Sequence, residues 1–500
     1  MYKYFLKLIE YSKFVFNRFR VDAFLNGLKW TTGATVVKAL LPIVQYVIFA
    51  RILAPFELGL IAIVLLLIGF VQIFVDAGMM NAVISSKKCN NKVFESFFWF
   101  HIFTGFLVTV IFITTSPLVL SFVKSPELKP YVLLIAVQIP ILSVSQFLSA
   151  VYQKKLLFRS LAAADSISSI IGVLCSIVLV YCKFGILSYI AGLLITNLIF
   201  AMILYGNAKS DFKISMHFKI DEIRDYFKFG MYQVIERLLG FFSTNLDKIV
   251  ISQFFGLSML GIYNCAYQIM VKPIGIINTS FLRVSFPYFS TIADNSFSLN
   301  ESFASVMKKI TFINFPIYGF MFLYASEIIH LLYGESFIQS ISILQILSII
   351  GVVWTVGNPV GAYLLSQGKA RLSLFVNIYQ FIIVSIALYF GAQFSLNTML
   401  WAYVFVSVVF LLPVDYFLCK FITRMPFKQY IDSILFSGLP ALIISGLIYI
   451  VHLVNRSANL AIVIMEILLS MVVYIILCLL NLRISQTKKA RALESAGIPH

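Results

Sequence analysis

The chain reads as an all-α integral membrane protein of about fourteen transmembrane helices, and three observations predict that class. Of 500 residues, 60% are hydrophobic and 12% charged, against about 25% charged in an ordinary soluble domain, so the folded chain needs lipid as part of its solvent. The charges are gathered in short clusters between apolar runs of about 20 residues, the length a helix needs to cross roughly 30 Å of hydrocarbon. Lys and Arg then fall almost entirely on one side of the alternating plan, as the positive-inside rule requires of a correct set of spans.

In order, the apolar runs place six spans at Trp30–Ala50, Leu58–Val75, Phe97–Thr115, Tyr131–Val151, Leu161–Tyr181 and Phe184–Tyr205. A second six follows at Phe229–Phe255, Leu257–Phe281, Ile310–Leu332, Ile341–Leu365, Leu372–Gly391 and Leu396–Leu418, and Ile434–Leu453 and Leu460–Leu480 close the chain. Each is bounded by a loop signal. Lys87, Lys88 and Lys92 separate the second span from the third, and Lys154, Lys155 and Arg159 the fourth from the fifth. Lys369 and Arg371 separate the tenth from the eleventh, and Lys420, Arg424 and Lys428 follow the twelfth. These clusters share one side with Lys3, Lys7, Arg18 and Arg20 at one terminus and Lys488, Lys489 and Arg491 at the other. Only Arg51, Lys124, Lys129, Lys183 and Arg456 fall opposite. The expected protein is therefore a multi-pass protein of the cytoplasmic membrane with both termini in the cytoplasm. Its net charge of +17 follows from that bias, and no nucleic-acid partner is needed to explain it.

The organisation expected is a basic amphipathic N-terminal segment (1–29), a six-helix lobe (30–205), an amphipathic cytoplasmic linker (206–228), a second six-helix lobe (229–418), two additional helices (419–480) and a basic tail (481–500). Met1–Arg20 mixes Lys and Arg with aromatic and aliphatic residues and has no small-residue cleavage site, so it reads as an interfacial helix and not a signal peptide.

Enzyme chemistry finds little support. Cys89, Cys175, Cys182, Cys265, Cys419 and Cys478 have no metal-ligand or redox spacing, and the five His are dispersed, so neither a metal nor another cofactor is expected. Gly368-Lys369 is followed by Ala370 and lacks the upstream glycine of a phosphate-binding loop. The longest outer loop, Ser116–Pro130, is about 15 residues long and holds no His or Arg.

The two halves repeat weakly. Ala50-Arg51-Ile52-Leu53-Ala54-Pro55-Phe56-Glu57-Leu58-Gly59 aligns with Ser252-Gln253-Phe254-Phe255-Gly256-Leu257-Ser258-Met259-Leu260-Gly261 at a shift of 202. An even number of spans separates the copies, so both enter the membrane in the same direction, the arrangement of parallel repeats that handle substrate between them.

The seventh span carries most of the polar chemistry. At 100° per residue Glu236, Gly240, Ser243, Thr244 and Asp247 share a stripe of about 100°, flanked by Arg237 and Lys248. On the first span Thr31, Lys38, Pro42 and Gln45 share a face, and the shift of 202 lays Lys38 on Gly240 and Gln45 on Asp247. Lys272 precedes Pro273 within the eighth span. A charge facing lipid costs at least about 2.5 kcal/mol, which leaves two readings open: these faces line a hydrated conduit, or their charges pair internally and hold the bundle together. Candidate substrate-cavity residues are Lys38, Gln45, Glu236, Arg237, Ser243, Asp247, Lys248 and Lys272. The cations Lys38, Arg237, Lys248 and Lys272 outnumber the acids Glu236 and Asp247, which favours an anionic cargo.

Trp30, Gly33, the Ala50-Arg51-x-Leu53-x-Pro55 corner, Gly59, Asp76-x-Gly78, Asn245-x-Asp247, Gly256, Leu260-Gly261-x-Tyr263, Ala266 and Phe286-Pro287 with Ser290 and Asp294 resemble the polysaccharide-transporter branch of the multidrug/oligosaccharidyl-lipid/polysaccharide flippase superfamily. Within it the chain is similar to the Wzx-type O-antigen flippases and the colanic-acid and teichuronic-acid exporters. The resemblance implies two six-helix lobes that alternate in access and turn over an undecaprenyl-diphosphate-linked oligosaccharide, with membrane lipids and a polysaccharide polymerase as further partners. It departs at the second-half corner, where Ser252-Gln253 stands in place of the Ala-Arg pair. An ion-coupled multidrug or small-molecule antiporter of the same superfamily is the alternative.

Overall fold

The computed structural model describes residues 38, 40–76, 91–208, 217–220, 224–292, 295–454, 466 and 469–478; these are helical almost throughout, with no strand among them. The first eight helices are α1 (Leu40–Ile52), α2 (Pro55–Asp76), α3 (Asn91–Phe122), α4 (Val132–Lys154), α5 (Phe158–Tyr181), α6 (Ile186–Ala208), α7 (Arg224–Phe254) and α8 (Gly256–Pro273). There follow α9 (Thr279–Thr291), α10 (Ser296–Leu323), α11 (Ala325–Leu332), α12 (Ser340–Ser366), α13 (Ala370–Ala392), α14 (Leu396–Val406), α15 (Leu412–Thr423), α16 (Phe427–Val454) and α17 (Leu469–Cys478).

The protein is an all-helical membrane protein. Among the described residues nine helices are long and apolar enough to cross a membrane, and a tenth span forms if α10 and α11, bent by 78° at Tyr324, count together. The seventh expected span is present as α7, but Glu236, Arg237, Asp247 and Lys248 make it too polar to qualify by apolarity. The eighth is broken where Pro273 removes a backbone donor and a π turn, Ile274–Asn278, joins α8 to α9. Trp30, Thr31, the interfacial segment Met1–Arg20, most of the 206–228 linker and the 481–500 tail lie outside the described residues.

The described residues form two compact units, divided between Gly261 and Ile262. In the first, α2 is the central helix. Leu58, Ile61, Ile63 and Val64 are fully buried, and α2 packs against α3, α4, α6 and α7. Small residues bring α5 and α6 together. A Cβ on Gly172 would lie 2.7 Å from the Gly192 carbonyl oxygen, and one on Gly192 would lie 2.5 Å from the Ser176 Cβ. Gly172 and Ser176 face Gly192 and Thr196 at four-residue spacing, the small-xxx-small pattern that lets membrane helices touch backbone to backbone. Gly59 and Gly261 do the same for α2 and α8, each against the other helix's first turn.

The second unit is built around α10, α12 and α16. The Tyr318 hydroxyl donates to the Met270 carbonyl at 2.9 Å, and Gly351 leaves space for its ring. Tyr363 donates to Asn300 Oδ1 at 2.9 Å, in a buried cluster that includes Thr423.

Candidate functional site

Six helices of the first unit enclose a cavity of about 880 Å³, within the range of about 300 to 1,000 Å³ that small-molecule sites occupy. Each presents one face of a 3.6-residue period. α4 contributes Leu142, Ser145, Gln146, Ser149 and Gln153; α5 contributes Leu161, Asp165, Ser168 and Ser169; α6 contributes Thr196, Asn197 and Phe200. Lys38 at the edge of α1, Gly69 and Gln72 of α2, and Arg237, Gly240, Phe241 and Thr244 of α7 complete the wall. Local sequence explains the fit: the Gly69 backbone leaves room for Phe241, whose ring would come within 3.2 Å of a Cβ there. Phe70 packs on Phe241 at 5.7 Å and on Phe242 at 6.1 Å, fixing α7 against α2.

The lining lies in the half of these helices nearest the basic loops. Gln153 adjoins Lys154 and Lys155, and Asp165 follows Arg159 by under two turns. Hydroxyl protons are largely used within the helices: Ser145 donates to the Ile141 carbonyl at 2.6 Å, Thr196 to Gly192 at 2.8 Å and Thr244 to Gly240 at 2.9 Å. These hydroxyls can therefore accept hydrogen bonds from a guest, while the amides of Gln72, Gln146 and Asn197 can donate or accept. Two cations, Lys38 and Arg237, stand against one acid, Asp165. Lys38 Nζ lies 2.6 Å from Asp165 Oδ2, with its side chain 51% exposed. The wall suits a polyhydroxylated guest carrying negative charge.

The sequence-derived candidates separate. Lys38 and Arg237 line the cavity, with Gly240 and Thr244 of the seventh-span stripe. Glu236, Gln45, Ser243, Asp247, Lys248 and Lys272 are not part of its wall. Gln45 is buried and donates to Ser176 Oγ at 2.7 Å. Glu236 is exposed outside the cavity. Ser243 bonds the Leu239 carbonyl, Asp247 Oδ1 accepts from the Lys248 amide at 2.9 Å, and Lys248 Nζ reaches Asn245 Oδ1 at 2.9 Å. Lys272 belongs to the second unit and is half-buried. The lining stripe of α7, 237/240/241/244, is thus turned by roughly 65° from the expected one. On α1 both open readings apply to one face: Lys38 pairs with Asp165 and also reaches the cavity, while Gln45, two turns further on, is purely internal.

Asp165, Gln72, Gln146, Gln153 and Asn197 were not singled out from the sequence. Their signal was available: Ser145, Gln146, Ser149 and Gln153 recur at helical spacing in an otherwise apolar fourth span, and Asp165, Ser168 and Ser169 do so in the fifth.

Residues 48–342 match the family described as "Polysaccharide biosynthesis protein". The chain is 27% identical over 412 residues to the Teichuronic acid biosynthesis protein TuaB of Bacillus subtilis (strain 168), covering 82% of this chain and 85% of that one. It is 24% identical over 426 residues to the Lipopolysaccharide biosynthesis protein WzxC of Escherichia coli (strain K12), covering 84% and 86%. Among solved structures it shares its fold with the Lipid II flippase MurJ in an inward closed conformation, with a TM-score of 0.71 and 17% identity over 91% of this chain and 98% of that one. With a match that spans more than half its length, the chain belongs to the polysaccharide biosynthesis protein family.

Proposed function

We propose that the protein is a flippase that carries a polyprenyl-diphosphate-linked oligosaccharide across the cytoplasmic membrane for cell-surface polysaccharide synthesis. The observation that carries this reading is the cavity wall: amides and hydroxyls for sugar, with Lys38 and Arg237 for phosphate, on the side of the basic loops. A diphosphate bearing sugars cannot cross hydrocarbon unaided, because every desolvated polar group would go unanswered. The cavity replaces that lost hydration, and the prenyl chain stays in lipid. Nothing in this cycle makes or breaks a covalent bond, so the protein acts as a transporter and not as an enzyme. The names of TuaB and WzxC, and of MurJ as a lipid II flippase, support the same reading.

The basic bias of the loops supports entry from the cytoplasm, with both termini on that side. The repeat at a shift of 202 supports two six-helix lobes, 30–205 and 229–418, with α16 and α17 as additions. Deletion of the gene tests the function: surface polysaccharide should be lost while lipid-linked repeat units accumulate on the cytoplasmic face. Intact polysaccharide with raised drug sensitivity would instead identify an ion-coupled antiporter.

A further inference from the structure

On the side of the basic loops, the second unit carries a run that interleaves cations with aromatics: Lys420-Phe421-Ile422-Thr423-Arg424-Met425-Pro426-Phe427-Lys428. The run closes α15 and opens α16. Phe417, Lys420, Phe421 and Arg424 fall within a stripe of about 100° on α15 and its cap. All four are exposed, Phe421 by 77%. Lys369, from the turn before α13, joins them with Nζ 5.7 Å from the centre of the Phe421 ring. The Phe427 ring lies 4.9 Å from that of Tyr416 on α15, so the exposed Lys428 beside it belongs to the same patch, with the free amides of the first turn of α16.

Buried bonds fix this corner. Asn300 Nδ2 donates to the Thr423 carbonyl at 3.1 Å, and the hydroxyls of Tyr363 and Thr423 both donate to Asn300 Oδ1. The next residue, Arg424, is left-handed at φ 57° and ψ 35°, and its amide donates to the Lys420 carbonyl at 2.9 Å. Glycine is the usual residue at such a helix end, and Gly368 takes it after α12 at φ 67°. A side chain there carries a steric penalty, which Arg424 accepts while adding its charge to the patch.

These cations are uncommitted. Among the described residues none of Lys369, Lys420, Arg424 and Lys428 forms an ion pair. Lys154, Lys155 and Arg159, on the same side of the first unit, each interact within the chain. Asp432, the acid nearest in sequence, is exposed one turn further along α16.

We propose that this corner binds an anionic phospholipid of the leaflet on the side of the basic loops. Lys420, Arg424 and Lys428 take its phosphate, and the first carbons of an acyl chain lie on Phe417 and Phe421. Lys369 adds its charge from over the Phe421 ring. An acidic protein segment would answer the charge and leave the rings bare; rings on the outer face of a spanning helix select lipid. None of these residues lines the cavity, so the site stands apart from the transport reading.

Binding of dioctanoyl phosphatidylglycerol to the full chain, purified in a neutral detergent, tests this, with dioctanoyl phosphatidylcholine as the zwitterionic reference. The parent should prefer phosphatidylglycerol, and the preference should shrink as salt is raised. One cation at an anionic lipid surface is worth about fivefold in affinity, so Arg424→Gly should weaken phosphatidylglycerol by about that factor. Glycine adopts the left-handed corner without strain, so this variant loses the charge and keeps the fold. Lys420→Gln, Arg424→Gln and Lys428→Gln together should weaken binding by about a hundredfold. The same charge removed from the tail, as Lys488→Gln, Lys489→Gln and Arg491→Gln, should change it less than about twofold. Inorganic phosphate should compete no better than chloride at equal ionic strength. Equal affinity for the two lipids, parental affinity in Arg424→Gly, an equal loss in the tail variant, or displacement by inorganic phosphate would each overturn the proposal. Should the triple variant fail to accumulate, Arg424→Gly decides.

Discussion

Replacing Lys38 with Gln tests whether the cavity binds its cargo through charge. Lys38 Nζ lies 2.6 Å from Asp165 Oδ2, with the two side chains 51% and 25% exposed. In so open a setting the ion pair itself contributes only about 0 to 1 kcal/mol. A charge-assisted hydrogen bond from Lys38 to a phosphate oxygen in a partly desolvated cavity contributes about 1.5 to 3 kcal/mol. Lys38→Gln should therefore weaken binding of a polyprenyl diphosphate by about ten- to a hundredfold. Asp165→Asn should leave it unchanged or tighten it up to about fivefold, since it removes only the competing partner. The double variant should resemble Lys38→Gln. The assay is binding of a short-chain polyprenyl diphosphate to the purified protein in detergent, with membrane abundance measured for each variant. A structural role predicts the opposite pattern, because stranding one charge of a pair destabilises the bundle and removing both relieves it. Parental affinity in Lys38→Gln, together with lost abundance that the double variant restores, would refute the binding role.

Arg237→Gln should reduce binding by a similar factor, whereas Glu236→Gln, one residue away but outside the cavity wall, should change it less than about twofold. Gln45→Leu should act on folding alone: it removes the donor to Ser176 Oγ, which keeps only its own bond to the Val173 carbonyl, and should lower stability by about 1 kcal/mol with unchanged affinity. Gly172→Val would drive side-chain atoms into Gly192 and Thr196 and should cost about 1 to 3 kcal/mol, seen as reduced membrane abundance. Reporter fusions at Lys155, Lys219 and Arg424 should all report cytoplasm; an outer signal from any of them would overturn the span order.

Hydropathy suffices for the membrane class because lipid forces every backbone group into a helix. Where the spans are strongly apolar, as in α2 or α12, the sequence limits fall within a few residues of the helices. The site was harder to read for two reasons. Ser, Thr, Asn and Asp on a helix can satisfy themselves on nearby backbone, as Ser243 and Asp247 do, so a polar stripe does not by itself face water. Phe241 shows the converse: an aromatic residue lies in the wall because Gly69 opposes it, a pairing between helices that periodicity within one helix cannot reveal. Asp165 escaped notice as a lone acid in an otherwise apolar span, and it became meaningful only once folding set it against Lys38.

The crossing of Gly59 with Gly261, positions equivalent under the shift of 202, also bears on how such a chain can diverge. A contact in which each partner meets the other's equivalent is the relation found across the axis of a symmetric dimer. In a true dimer every substitution is made twice, so a cation added near the axis arrives as a pair that repels itself. A chain holding both copies in tandem escapes that restriction. Here Lys38 aligns with Gly240, Gln45 with Asp247 and Arg51 with Gln253, so charge placed in one copy has no duplicate in the other. Duplication supplies the framework, and the freedom to edit one copy at a time lets a single Lys38 reach a cavity whose matching position holds only Gly240.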